Sequence, residues 1–160
     1  MGLGACPEEL LAQVPLLELP PLRGEVRRHG GVDLLLDCYN SSPEALEAAI
    51  DRLEREPAAG RRLCVIGTME ELGAEEKRWH QRLGGRLAAA AVDVVFLVGR
   101  GAAWLREAIA RAGGRGEILR NDEPSARRLA GVLRPGDRVL FKASRAEALE
   151  RLAERVALLL

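Results

Sequence analysis

The segment Asp37-Cys38-Tyr39-Asn40-Ser41-Ser42-Pro43-Glu44 places a carboxylate, a phenol, an amide and two hydroxyls directly after the apolar run Leu34-Leu35-Leu36. Those groups can donate to or accept from the hydroxyls, amines and phosphates of a polar ligand. The apolar run reads as a buried strand, and Pro43-Glu44 opens a helical pattern. A strand-to-helix turn at the carboxyl end of a strand is where α/β proteins hold their ligands.

Other strand candidates end in similar chemistry. Gly67, Thr68 and Met69 follow Arg62–Ile66, and Gly99 and Arg100 follow Val92–Val98. Asn121 and Asp122 follow Glu117–Leu119; Lys142, Ser144 and Arg145 follow Arg138–Phe141. In a parallel sheet all of these share one edge, a crevice for a ligand carrying phosphate, carboxylate or amine groups. Local roles compete with that reading. Ser41 or Ser42, Thr68, Asp122 and Ser144 fit helix N-caps. Tyr39 fits a half-buried loop aromatic and Lys142 a solvated strand end. His80, one residue off a Trp79 stripe, reads as a helix-boundary residue rather than a catalyst. There is no G-x-x-x-x-G-K-S/T phosphate loop and no G-x-S-x-G elbow. Gly99-Arg100-Gly101-Ala102-Ala103-Trp104 carries Trp where a dinucleotide fingerprint needs its third glycine, so it reads as a tight strand-to-helix turn.

The elements that must position these groups are legible in the pattern. Glu25–His29 and Val32–Cys38 flank Gly30-Gly31, a two-residue hairpin signal. Helical stripes run through Leu46, Ala49, Ile50 and Leu53, through Leu105, Ala108, Ile109 and Ala112, and through Ala126, Leu129, Ala130 and Leu133. Trp79, Leu83 and Leu87 mark a fourth, and Leu149, Leu152 and Val156 a fifth. Ser41-x-x-Glu44, Thr68-x-x-Glu71 and Ser144-x-x-Glu147 have capping-box spacing, and Pro43 and Pro124 suit first helical turns. Strands alternating with helices predict an α/β, three-layer, Rossmann-like domain over 25–160. Its six-stranded sheet is mostly parallel, with one antiparallel strand from the hairpin. Residues 1–24 differ: Pro7-Glu8-Glu9-Leu10-Leu11 can start a short helix, but Pro15, Pro20 and Pro21 oppose regular structure, so a tail or linker is expected.

Composition narrows the function. The 160 residues carry 24 Lys plus Arg against 24 Asp plus Glu, so no net charge draws the chain to nucleic acid or an anionic membrane. At 3% aromatic residues, base-stacking platforms are also not expected. Cys6, Cys38 and Cys64 are far apart, which argues against a disulfide framework or a zinc site. No apolar run is long enough to span a bilayer and no secretory leader pattern stands at the start, so a cytoplasmic location is expected.

Three spaced motifs resemble the C-terminal domain of the Mur ligases, and within them the UDP-N-acetylmuramoyl-tripeptide–D-alanyl-D-alanine ligases. The family's Asp, small residue, Tyr, Asn, Ala, Asn, Pro appears as Asp37-Cys38-Tyr39-Asn40-Ser41-Ser42-Pro43. Its strand followed by Gly-Asp-Met, a variable residue and Glu-Leu-Gly appears as Cys64-Val65-Ile66-Gly67-Thr68-Met69-Glu70-Glu71-Leu72-Gly73, with His80 downstream. Its Lys-Gly-Ser-Arg appears as Lys142-Ala143-Ser144-Arg145, and Arg23-Gly24-Glu25-Val26 resembles the segment leaving the family's central domain. The folylpolyglutamate synthetases share the fold, but Asn40 stands where they favour His.

The resemblance implies an ATP-dependent ligase lid. A central domain, with its P-loop, ATP and Mg2+, makes an acyl phosphate; the C-terminal domain closes and delivers D-alanyl-D-alanine. Asp37 would accept from the nucleotide ribose, Tyr39 and Asn40 would lie against the nucleotide, and Ser41 beside them. Lys142, Ser144 and Arg145 would face the dipeptide. No catalytic side chain or metal ligand is assigned to this chain. Without a P-loop it is expected to be inactive alone, to take ATP and Mg2+ only with a central domain, and to need a ligase core joined to it or in trans. Ser42, Thr68, Ala143 and Leu22 depart from the family's Asn, Asp, Gly and Gly. Thr68 and Ala143 keep open a non-catalytic binding or regulatory module of the same descent.

Overall fold

β1 (Glu25–His29) and β2 (Val32–Asp37) form the expected hairpin. Its two-residue turn needs positive φ at both positions, which Gly30 (54°) and Gly31 (79°) supply. The structure, a computed structural model, describes residues 6–14 and 20–160. After a short helix α1 (Pro7–Gln13) and the hairpin come α2 (Pro43–Arg55), β3 (Arg62–Ile66), α3 (Glu76–Ala88), β4 (Val94–Leu97), α4 (Ala102–Arg111), β5 (Glu117–Ile118), α5 (Glu123–Ala130), β6 (Arg138–Lys142) and α6 (Glu150–Ala157). The sheet is six-stranded in the order β1-β2-β6-β3-β4-β5, with only the β1–β2 pair antiparallel.

The strands alternate their apolar residues between two cores, which is why they read as continuous apolar runs. Leu34, Leu36, Val139 and Phe141 pack under α5 and α6, while Leu35, Leu140, Cys64 and Ile66 pack under α2, α3 and α4. The result is the expected three-layer arrangement. Burial pushes the Cys64 thiol up to about 12. At Cys38 burial, then the nearby Glu150 charge, has the same effect, so neither thiol is nucleophilic near neutral pH. No helix among the described residues is long and apolar enough to cross a membrane.

Four expectations need correction. The tail does not stay apart up to residue 24. Leu22 packs against the α6-side core, its carbonyl accepts from Tyr39 N–H (3.1 Å), and its N–H donates to Glu25 Oε2 (3.2 Å). An antiparallel β1 must enter beside the exit of β2, so residues 22–24 lie against the turn after Asp37. Leu22 takes a left-handed φ of 62°, a conformation that suits the family's Gly better. Pro15 lies outside the described residues.

Second, the stripe of α3 is displaced. His80, Leu83, Gly84 and Leu87 are buried, while Trp79 is half-buried beneath the Arg82 guanidinium. His80, Leu83, Gly84 and Leu87 follow the i, i+3, i+4, i+7 spacing, so the buried stripe is centred on His80 and leaves Trp79 at its edge. Third, of the capping-box serines and threonine, none caps as expected. Ser42, not Ser41, caps α2 by accepting from Ala45 N–H (3.2 Å). Thr68 precedes no helix, and Ser144 opens only a 3-10 turn over Arg145–Glu147 without a side-chain cap. Asp122 caps α5 as expected, through Ser125 N–H at 3.0 Å. Fourth, Val92–Val98 shortens to β4, because Asp93 instead ties the strand's start to Arg62 N–H (2.8 Å).

Asn121 clamps the turn before α6. Its Nδ2 donates to the carbonyls of Glu147 (2.8 Å) and Ala148 (2.9 Å), and its Oδ1 accepts from Arg155 (2.9 Å). Asn121→Ala is expected to cost about 1–3 kcal/mol, the range for stripping buried acceptors of their donors. Urea unfolding should show a lower midpoint with an unchanged slope.

Candidate functional site

Parallel register puts the chemistry of β2 and β6 side by side. Asp37 pairs with Lys142, and Lys142 with Ile66 of β3. Lys142 is buried, at 2% exposure, which excludes the solvated strand end. Its Nζ lies 3.1 Å from Asp37 Oδ2 and donates to the carbonyls of Asn40 (2.7 Å) and Asp37 (3.2 Å). An ammonium has three donors, and these oxygens engage them all. Lys142 thus holds the Asp37–Asn40 turn in shape. Asn40 adds a local restraint, its Oδ1 accepting from Ser41 N–H at 2.9 Å.

Over this turn opens a pocket of about 320 Å³ lined by Asp37, Asn40, Ser41, Ser42 and Lys142, with Arg23, Gly24, Ala45 and Arg52 closing its other side. Three cations and one carboxylate line it, beside the N-terminus of α2, whose free N–H groups favour negative charge. Ser41 Oγ is buried and has no hydrogen-bond partner among the described residues. Tyr39 is half-exposed, with the Arg23 guanidinium 4.3 Å from its ring centroid. Such an arrangement can receive a polar, largely anionic ligand and accept from its hydroxyls at Asp37.

The structure therefore brings together Asp37, Asn40, Ser41 and Lys142, with Tyr39 joined through Arg23. Ser144 and Arg145 do not line the pocket, although the Ser144 hydroxyl reaches its Ser41 from behind, donating to the Ser41 carbonyl at 3.4 Å. Ser144 is buried: its Oγ accepts from Glu70 N–H (2.8 Å) and its N–H donates to the Thr68 carbonyl (3.0 Å), tying two loops together. Arg145 points outward to Glu150, at 2.5 Å. Arg23 and Arg52 were not singled out from the sequence. Arg23 sat in the expected tail; Arg52 lies two turns beyond Ala45 on one face of α2, a spacing that could have flagged it.

The departures at Thr68 and Ala143 do not reach the pocket. Thr68 Oγ1 accepts from Gly101 N–H (3.1 Å), locking the turn before α4. Ala143 is buried in the α6-side core, and its Cβ comes within 2.6 Å of where a Cβ on Gly67 would stand. The added methyl is accommodated by glycine on β3's exit, not by a ligand surface. His80 is also internal. It is fully buried, with Nδ1 2.7 Å from the Glu76 carbonyl and Nε2 accepting from Met69 N–H at 3.1 Å. That bond pattern assigns the proton to Nδ1 and leaves no ring nitrogen for acid–base work.

Among the described residues no group of three or more His, Cys, Asp or Glu is placed to hold a metal ion.

The sequence model of the Mur ligase glutamate ligase domain matches residues 22–145. The chain belongs to the Mur ligase family. The match opens at Leu22, where the chain docks onto the sheet, and spans every pocket residue. The UDP-N-acetylmuramoyl-tripeptide–D-alanyl-D-alanine ligase of Synechocystis is 40% identical over 134 residues, covering 80% of this chain and 28% of that protein. The ligase of the same name from Bacillus subtilis is 28% identical over 154 residues, covering 94% and 34%. Among solved structures, the MurF ligase of Thermotoga maritima in complex with ADP superimposes with a TM-score of 0.74 at 34% identity, over 93% of this chain and 36% of that one. A MurF of Acinetobacter baumannii gives a TM-score of 0.84 at 22% identity, a likeness of fold. This Mur ligase chain thus spans about a third of the length of the relatives it matches.

Proposed function

We propose that this chain is the C-terminal lid of an ATP-dependent ligase that joins D-alanyl-D-alanine to a UDP-MurNAc-tripeptide. The observation that carries the reading is the in-register Asp37–Lys142 pair at the floor of a cationic pocket. The relatives named above carry that activity in their names, and one of them was solved with ADP. In this reading the remainder of the enzyme holds ATP and magnesium and makes the acyl phosphate. The dipeptide's amine then attacks the acyl carbon; the C–N bond forms, the bond to the phosphate oxygen breaks, and inorganic phosphate leaves with the amine giving up a proton. The lid's contribution is placement and exclusion of water from an anhydride that would otherwise hydrolyse. Asp37 receives the nucleotide's hydroxyls, with Asn40, Ser41 and Tyr39 against the nucleotide. Lys142 shapes that turn, Ser144 supports it from within through the Ser41 carbonyl, and the exposed Arg145 acts from the dipeptide side. In this reading the reaction takes place in the cytoplasm.

The ligase core that supplies the acyl phosphate is joined to this chain or acts in trans. The 160-residue chain alone, given ATP, magnesium, UDP-MurNAc-tripeptide and D-alanyl-D-alanine, is expected to form no peptide bond and release no phosphate. Adding a P-loop-bearing core that lacks its own lid should restore product. Product from the chain alone overturns the reading. The non-catalytic module loses its main support, because Thr68 and Ala143 pack internally.

A further inference from the structure

We propose that Arg52 is a further ligand-binding residue of the pocket, recognising a phosphate or carboxylate group, and that Glu56 positions it. The inference rests on the pocket being a ligand site. Arg52 donates from Nε to Glu56 Oε1 at 2.6 Å and, weakly, from Nη1 to the Gly24 carbonyl at 3.4 Å. Its Nη2 has no hydrogen bond to a described residue, and 41% of its side chain is exposed where it lines the pocket. Most of the guanidinium's N–H donors are therefore left for a ligand, in a planar fork that suits two-oxygen anions.

Glu56 does not neutralise it. That carboxylate also takes Arg138 Nη1 at 2.7 Å; Arg138 Nη2 reaches Asp33 at 3.1 Å, and Asp33 is shared again with Arg28 at 2.7 Å. Two carboxylates thus alternate with three guanidiniums along Arg28–Asp33–Arg138–Glu56–Arg52, and the surplus positive charge has one end in the pocket. Arg23, which lines the same pocket and precedes the Gly24 that Arg52 touches, has no carboxylate partner among the described residues, and its face lies on the Tyr39 ring. The tether at Glu56 fixes Arg52 Nε, so the free edge of the fork is held rather than mobile. An anion between Arg52, Arg23 and the α2 N-terminus would complete the charge pattern.

The test is amide-shift titration of the full chain with inorganic phosphate, ADP, D-alanyl-D-alanine and, as an uncharged control, adenosine. Gly24, Ser42 and Ala45 amides are expected to move with the anionic probes. Arg52→Gln should weaken whichever anionic probe binds by about tenfold to a hundredfold, the size of one charge-assisted hydrogen bond. Adenosine binding should not change, and Arg52→Lys should keep part of the affinity. Phosphate against dipeptide distinguishes the two anion classes. Glu56→Gln makes the pocket more positive, so tighter anion binding would overturn the positioning role; weaker binding supports it. If ADP or the dipeptide binds with shifts at Asp37–Ser41 but Arg52→Gln leaves affinity unchanged, the inference fails and the proposed function stands. If phosphate binds through Arg52 while neither ADP nor the dipeptide does, the inference stands and the proposed function fails.

Discussion

Lys142→Ala is expected to destabilise the fold by about 3 kcal/mol and to abolish ligand binding at the pocket. Removing one partner of a buried ion pair typically costs ~3–5 kcal/mol, because the other charge is left uncompensated. The Asp37 side chain is 28% exposed, so water recovers part of that cost and the lower end applies. Two backbone carbonyls, of Asp37 and Asn40, also lose their donor. For a chain of this length such a loss lowers the melting temperature by roughly 6–12 °C. Lys142→Met keeps the aliphatic stem and should be nearly as damaging, since the missing interaction is at Nζ. Pairing it with Asp37→Asn, which removes the stranded carboxylate's charge, should recover part of the loss. A Lys142→Met protein as stable as the parent would show that the ammonium does not hold the turn.

Asp137→Ala should be the most destabilising single change at the opposite end of the sheet, at about 3–5 kcal/mol. Asp137 is 2% exposed and ties the start of β6 to the residues before β3. It accepts from Arg61 N–H (3.0 Å), Arg61 Nε (3.2 Å), Arg61 Nη2 (2.6 Å) and Arg134 N–H (2.9 Å). Burial alone would raise its carboxyl, but the Arg61 guanidinium and the backbone N–H donors outweigh that and hold it below its ordinary value of 3.8. A carboxyl depressed in the folded state stabilises above its unfolded value and loses that contribution as pH falls through the folded one. The stability gap between parent and Asp137→Ala should therefore be full above about pH 5 and narrow progressively below pH 4. Denaturant melts from pH 7 to pH 2.5 would read it. A gap of constant size across that range would rule out the carboxylate as its source.

The two sites differ in how far they could be read in advance. Asp37 and Lys142 each stood at the end of an apolar run, which marks a strand's exit, and that much needs only local pattern. Their pairing needed the order β2-β6-β3, in which the last strand of the chain inserts between two early ones. No local spacing encodes that insertion; it depends on which strands can bury both faces between helices. Asp137 was not singled out at all. It precedes an apolar run rather than ending one, and its partner Arg61 is far away in the chain.

His80 shows the same limit at smaller scale. Its helix was legible from Leu83 and Leu87, but Trp79 and His80 both suit the position one turn before Leu83, and only the packing decided that His80 is the buried one. Ser41 and Ser42 were indistinguishable as caps until the turn geometry put the Ser42 hydroxyl under Ala45 N–H.

By itself the sequence determined the alternation of strands and helices, the glycine hairpin and the family motifs. These follow from hydrophobic periodicity, backbone conformational preference and residue identity, all of which act over a few neighbouring residues. Only the tertiary structure decided which polar groups are internal ties and which face the pocket. Lys142, Ser144, Thr68 and His80 became ties, and Arg23 and Arg52 became pocket walls. A buried polar group must find its partner wherever the fold places one, and those partners come from the register and order of strands far apart in the chain.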